Sequence, residues 1–147
     1  MKSKIAVVGN RQGFDYEYVR EKLIANKITK DCIIISGGAE GVDTYAQKFA
    51  KEIGAEIRIF YPDPDLPHPW RYLERDRRMV DEANLVIAFN KLDKGGTFYT
   101  INYAAKIGRP YIEDMGYYPS KTIEPKTIKE EKISQSITKG EQSEIKT

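Results

Sequence analysis

With 147 residues, 40% of them hydrophobic, the chain can bury one core of ordinary domain size without disulfides or metals. Charged residues make up 31% yet nearly cancel to +2, so the balance carries no strongly basic face for nucleic acid, although a local patch can hide in such an average. No apolar run is long enough to cross a bilayer, which excludes a helical membrane span and leaves a soluble protein as the expectation.

Met1 to Lys4 run directly into Ile5-Ala6-Val7-Val8, too short for the apolar stretch of a secretion signal. That run reads as a buried strand ended by Gly9. Asp15 is placed to cap a helix whose Tyr16, Val19 and Leu23 recur at helical spacing. Cys32-Ile33-Ile34-Ile35 predicts a second strand, broken by Ser36-Gly37-Gly38. Cys32 is the only cysteine and is expected to be buried; it cannot form an internal disulfide, so a reducing, cytoplasmic compartment is expected. Val42, Tyr45, Ala46, Phe49, Ala50 and Ile53 fall on one face of a helix that starts near Glu40 and stops at Gly54. A third strand is expected over 57–61. Four prolines between Pro62 and Pro69 then exclude regular structure. A helix over about 70–83, a strand over 85–89 and a helix over about 97–106 follow, with Tyr111-Ile112 as a fifth strand. This alternation predicts an α/β, Rossmann-like three-layer domain over 1–116, with a parallel sheet of about five strands. Residues 117–147 change in composition to Lys, Glu, Ser and Thr, with isoleucines at spacings that fit neither helix nor strand. They are read as a polar, flexible C-terminal tail, with at most a short helix around 128–137.

Chemistry is expected at the carboxyl ends of the strands, where open α/β sheets bind ligands. In Ser36-Gly37-Gly38-Ala39-Glu40-Gly41-Val42-Asp43, glycines let backbone approach a ligand, and the following helix aims unpaired N–H groups and its positive dipole end at it. Lys94-Gly95-Gly96-Thr97 repeats the arrangement after the fourth strand. Asp43, one turn into its helix, can take ribose hydroxyls or cap the helix. A single glycine turn after a strand needs no ligand to explain it. Two such turns, with Gly9-Asn10-Arg11 after the first strand, converge on one rim if the strand order is 3-2-1-4-5.

Other residues carry less. Arg75 can hold a phosphate, or belong to a solvated, salt-bridged face made by Arg75-Asp76-Arg77-Arg78. His68, the only histidine, has no partner cluster for a metal and reads as a loop residue. Trp70 and Met79 read as core, and Asp63 and Asp65 as exposed turn residues. Tyr99 and Tyr103 share a helix face, where their rings can stack on a base, pack, or form a subunit interface. No Ser-His-Asp, Cys-His or metal-ligand constellation stands out, and neither metal nor cofactor is expected.

Lys4-Ile5-Ala6-Val7-Val8-Gly9-Asn10-Arg11, the element from Ser36 to Asp43, Arg75-Asp76-Arg77-Arg78-Met79, Ile87-Ala88-Phe89 and Lys94 to Ile101 resemble, in order and spacing, the YspA/YpsA-related family of the SLOG superfamily. That superfamily also holds the DNA-processing protein DprA (Smf) and the LOG phosphoribohydrolases. The resemblance covers roughly the first three quarters of the chain. It implies a Rossmann-like fold, a site for nucleotides or their derivatives, and often a homodimer. Carried over position by position, the ligand site comprises Gly9, Asn10, Arg11, Ser36, Gly37, Gly38, Asp43, Arg75, Gly95, Gly96, Thr97 and Thr100. Two positions depart from the pattern. Asp76 stands where the family usually has asparagine, which adds negative charge beside a phosphate site. Thr100 stands where LOG enzymes carry a catalytic glutamate, and a threonine can neither act as a base nor stabilise an oxocarbenium-like charge.

Three functions are weighed on these residues. Binding or sensing of a nucleotide-derived small molecule, such as a mononucleotide or ADP-ribose, leads. Hydrolysis of a nucleotide N-glycosidic bond through another acid or base, Asp43 or Asp76, comes second. DprA-like binding of single-stranded DNA, which needs a basic groove with stacking aromatics, comes third because the charge balance does not favour a nucleic-acid partner.

Overall fold

The computed structural model describes residues 2–116, and the tail expected over 117–147 lies outside the described residues. Five strands, β1 (Lys4–Gly9), β2 (Ile33–Ser36), β3 (Glu56–Ile59), β4 (Leu85–Phe89) and β5 (Tyr111–Asp114), alternate with four helices. The helices are α1 (Tyr16–Ala25), α2 (Val42–Ile53), α3 (Trp70–Glu82) and α4 (Gly96–Ile107). The sheet is wholly parallel, in the order β3-β2-β1-β4-β5.

The period of two along each central strand sorts its side chains to two faces. Ile5, Val7, Ile34, Ile87 and Phe89 pack under α1 and α2 with Val19, Leu23, Ala46 and Phe49. Ala6, Val8, Ile35, Val86 and Ala88 pack against Met79 and Val80 of α3 and Ile101 and Ala104 of α4. Both faces of the sheet are thus covered, and the runs of β1, β2 and β4 are apolar throughout for that reason.

Local chemistry sets the boundaries. Asp15 caps α1, its carboxylate accepting the Tyr18 N–H at 2.9 Å. The second helix begins at Val42 rather than near Glu40, because Gly41 at φ 77° is its N-cap. The third strand ends at Ile59, where its partner β2 ends at Ser36. Cys32 lies just before β2 and is half-buried rather than buried. Among the described residues, no helix is long and apolar enough to cross a membrane.

Candidate functional site

With β1 in the middle of the sheet, the loops that leave β1, β2 and β4 meet at one rim. Asn10 joins all three. Its amide donates to the side-chain oxygen of Asn90 at 2.9 Å, and its own side-chain oxygen accepts the Lys91 N–H at 2.8 Å. Its carbonyl faces the Val42 N–H at 3.4 Å, at the start of α2. The loops after β1 and β2 also touch directly. A Cβ on Gly41 would lie 2.5 Å from the Arg11 carbonyl oxygen and 2.7 Å from that of Asn10, so only a glycine fits between them.

Beneath the rim lies a charged floor. Arg75 is buried, its Nε donating to Asp76 Oδ1 at 2.8 Å and its Nη1 to the Gly37 carbonyl at 2.6 Å. The guanidinium occupies the space a side chain at position 37 would take, since a Cβ there would meet Arg75 Cζ at 2.8 Å. Of the two readings for Arg75, the solvated face does not hold: the space left by Gly37 takes its guanidinium inward. Asp43 is buried as well, and its Oδ2 accepts the Ala39 N–H at 3.2 Å, folding back on its own loop rather than capping α2. Burial pushes the Asp43 carboxyl up to about 7, against the pull of the Ala39 N–H, Arg75 and Arg11, and nearby Asp76 adds to the rise. Burial also raises Asp76, opposed by Arg75 and by the hydroxyl of Thr100. Thr100 Oγ1 lies 3.1 Å from Asp76 Oδ2 and 2.8 Å from the Gly96 carbonyl, so its single proton serves two acceptors.

Above this floor opens a cleft of about 860 Å³, within the range of small-molecule sites. Of the residues expected at a ligand, Gly9, Asn10, Arg11, Asp43, Arg75, Gly95, Gly96, Thr97 and Thr100 line it. Ser36, Gly37 and Gly38 do not. Ser36 is buried and donates to the Asp43 carbonyl at 3.1 Å while accepting the Gly38 N–H, and Gly37 receives Arg75. These three shape the floor from behind.

The rim is positive. Helix α4 starts at the N-cap Gly95 with no side-chain cap, so its first N–H groups and dipole face the cleft mouth. Arg11 and Lys94 line the same mouth, and neither side chain forms a hydrogen bond or ion pair among the described residues. Lys91 also lines it but is engaged, donating to the Gly13 carbonyl and lying 4.9 Å from the centre of the Phe14 ring.

Sequence reasoning missed the fourth wall. His68, Pro69, Tyr72 and Leu73, where the proline-rich loop enters α3, line the cleft opposite the glycine loops. No motif in the sequence marks these residues. Trp70, expected in the core, is 39% exposed and turns to the other side of α3, where Arg77 lies over its ring at 5.2 Å. Tyr99 and Tyr103 flank the same Arg77, the Tyr99 hydroxyl accepting from its Nε at 2.6 Å.

A five-stranded parallel sheet covered on both faces, with its loops meeting at the carboxyl ends of the strands, is a Rossmann-like α/β fold. Residues 1–60 match the family model for DNA recombination-mediator protein A. No curated protein sequence matches the chain. Among solved structures, DNA processing protein A (DprA) from Streptococcus pneumoniae aligns at a TM-score of 0.65 and 20% identity, covering 76% of this chain and 50% of that one. The Helicobacter pylori DNA processing protein A, described by its single-stranded DNA binding mode, aligns at 0.55 and 23% identity over 76% of this chain and 64% of that one. TM1055, a structural-genomics target, aligns at 0.55 and 18% identity over 74% and 72%. The chain spans half the length of the Streptococcus pneumoniae protein it matches. The family-model match and the shared fold relate the chain to the SLOG superfamily.

Proposed function

We propose that the cleft binds a nucleotide or nucleotide-derived ligand, with its phosphate at the α4 N-terminus and its sugar over Asp43 and Asp76. The observation that carries this reading is the polarity of the cleft. Its mouth offers two unpaired cations, Arg11 and Lys94, beside an uncapped helix start, while its floor offers a buried carboxylate, Asp43, and a half-buried one, Asp76. An anion suits the mouth. Hydroxyl donors suit the floor, where Arg75 is already held by Asp76 and Gly37 and has little left for a phosphate. A ribose phosphate has this order of groups.

A second reading has its own support. The family model over residues 1–60 and the Helicobacter pylori neighbour favour single-stranded DNA as the ligand, its backbone following Arg11 and Lys94 along the rim. The two readings differ at the sugar, because DNA lacks the 2′-hydroxyl that two floor carboxylates would accept.

The test is a thermal-shift panel of AMP, dAMP, ADP-ribose, ribose 5-phosphate and a single-stranded oligodeoxynucleotide, at low and high salt. A ligand that binds only the folded state raises the Tm by mass action. Stabilisation by AMP or ADP-ribose beyond dAMP supports the nucleotide reading. Stabilisation by the oligonucleotide alone, lost steeply with salt, sinks it in favour of the second.

A further inference from the structure

The phosphate and sugar positions leave one wall of the cleft unassigned, and its chemistry differs from the rest. The glycine loops present backbone and small polar groups, and the floor presents charge. The entry to α3 presents His68, Pro69, Tyr72 and Leu73. Among the residues that line the cleft, the only aromatic rings are His68 and Tyr72. They meet edge to face, with centroids 5.3 Å apart and planes at 78°, so the imidazole braces the tyrosine ring in one orientation. Tyr72 nevertheless remains 37% exposed, although its ring is large and apolar. It stands one turn before Arg75, whose guanidinium carbon lies 6.0 Å from the ring centre, which ties the ring's position to the buried floor.

We propose that Tyr72, braced by His68 and set against Pro69 and Leu73, is a stacking platform for a planar heterocycle, the base of the nucleotide that the cleft takes up. This rests on the nucleotide reading and extends it to the third part of the ligand. Stacking accepts any base, because every base has a π-face, so the platform contributes affinity without selecting among bases by hydrogen bonds. A pocket with phosphate at the rim, hydroxyls on the floor and a base on an aromatic wall binds a whole nucleotide more tightly than its sugar phosphate.

Titration calorimetry on the full chain tests this with two probes, AMP and ribose 5-phosphate, against wild type, Tyr72→Ala and Tyr72→Phe. In the wild type, AMP is expected to bind more tightly than ribose 5-phosphate. Tyr72→Ala should weaken AMP roughly ten- to hundred-fold and leave ribose 5-phosphate within about two-fold. Tyr72→Phe, which keeps the ring, should retain AMP affinity. If AMP binds no better than ribose 5-phosphate, or if Tyr72→Ala weakens both alike, the platform is overturned while the phosphate and sugar site stands. Failure of both probes to bind the wild type overturns the platform and the nucleotide reading together.

Discussion

Two glycine-rich loops follow two strands of the same sheet and look alike in sequence, yet they have opposite surroundings. The loop from Ser36 to Gly41 is crowded. Arg75 fills the space beside Gly37, the loop after β1 presses on Gly41, and Asp43 folds back onto Ala39. The loop at Gly95-Gly96 is open, and a Cβ on Gly95 would meet nothing within 4 Å. A glycine after a strand therefore marks either a close approach, as at Gly37 and Gly41, or only a backbone turn of positive φ, as at Gly95. In the first loop what approaches is the chain's own guanidinium and backbone. In the second, space is left for something else.

The crowded loop should break easily. Gly41→Val adds overpacking against backbone to a residue at φ 77°, and is expected to cost about 5 kcal/mol, read as a collapse of the Tm or failure to fold. The Asp43 carboxyl supplies a pH signature. Its folded value, about 7, lies above the ordinary value near 4, so the folded state holds the proton more tightly. That stabilisation is complete below about pH 4 and lost as pH rises through 7, on the order of 4 kcal/mol across the window. Asp43→Asn should flatten the fall in stability between pH 5 and 8 in denaturant titrations, and an unchanged slope would assign the pH dependence elsewhere. Asn10→Ala removes the joint between the loops and takes the acceptor from the Lys91 N–H, while Asn90 Oδ1 keeps the Leu92 N–H, an expected loss of about 2 kcal/mol in urea unfolding.

The open loop should tolerate change and respond only through ligand. Lys94→Ala is expected to move the Tm by less than about 2 °C, since exposed charges contribute little to stability. The same variant should weaken binding of AMP several-fold, more at low salt than at high. Equal effects on folding and binding would erase the distinction between the loops.

The architecture was legible because its signals are periodic and local. Ile5 to Val8, Ile33 to Ile35 and Leu85 to Phe89 are apolar on both faces, which only a covered parallel strand needs, and Asp15 stands where a cap belongs. The alternation does not fix strand order, which stood as a condition for the converging rim, and the structure shows that order. What the sequence hid depends on partners far apart along the chain. Arg75 sits in a run of charges that reads as surface, and its burial depends on a missing side chain at Gly37. Trp70 reads as core, yet Arg77, itself flanked by two tyrosines of α4, gives its ring an outer resting place. Tyr72 and His68 carry no spacing pattern, so their place on the cleft wall could be read only once α3 was set against the sheet.

The bond between Asn10 and Asn90 joins positions 80 apart in sequence, and it crosses the rim. While a ribosome is still making α3, the middle of the sheet has one neighbour in place and the other unborn. Strand β1 can pair with β2 early, but its other edge waits for β4, and contacts of such separation come late in folding. A nascent chain halted before Leu85 would hold the crowded loop and no receptor. Capture of the proposed ligand would therefore time the arrival of β4 and of the α4 start that follows it, and a labelled nucleotide added during synthesis would serve as a clock for that step.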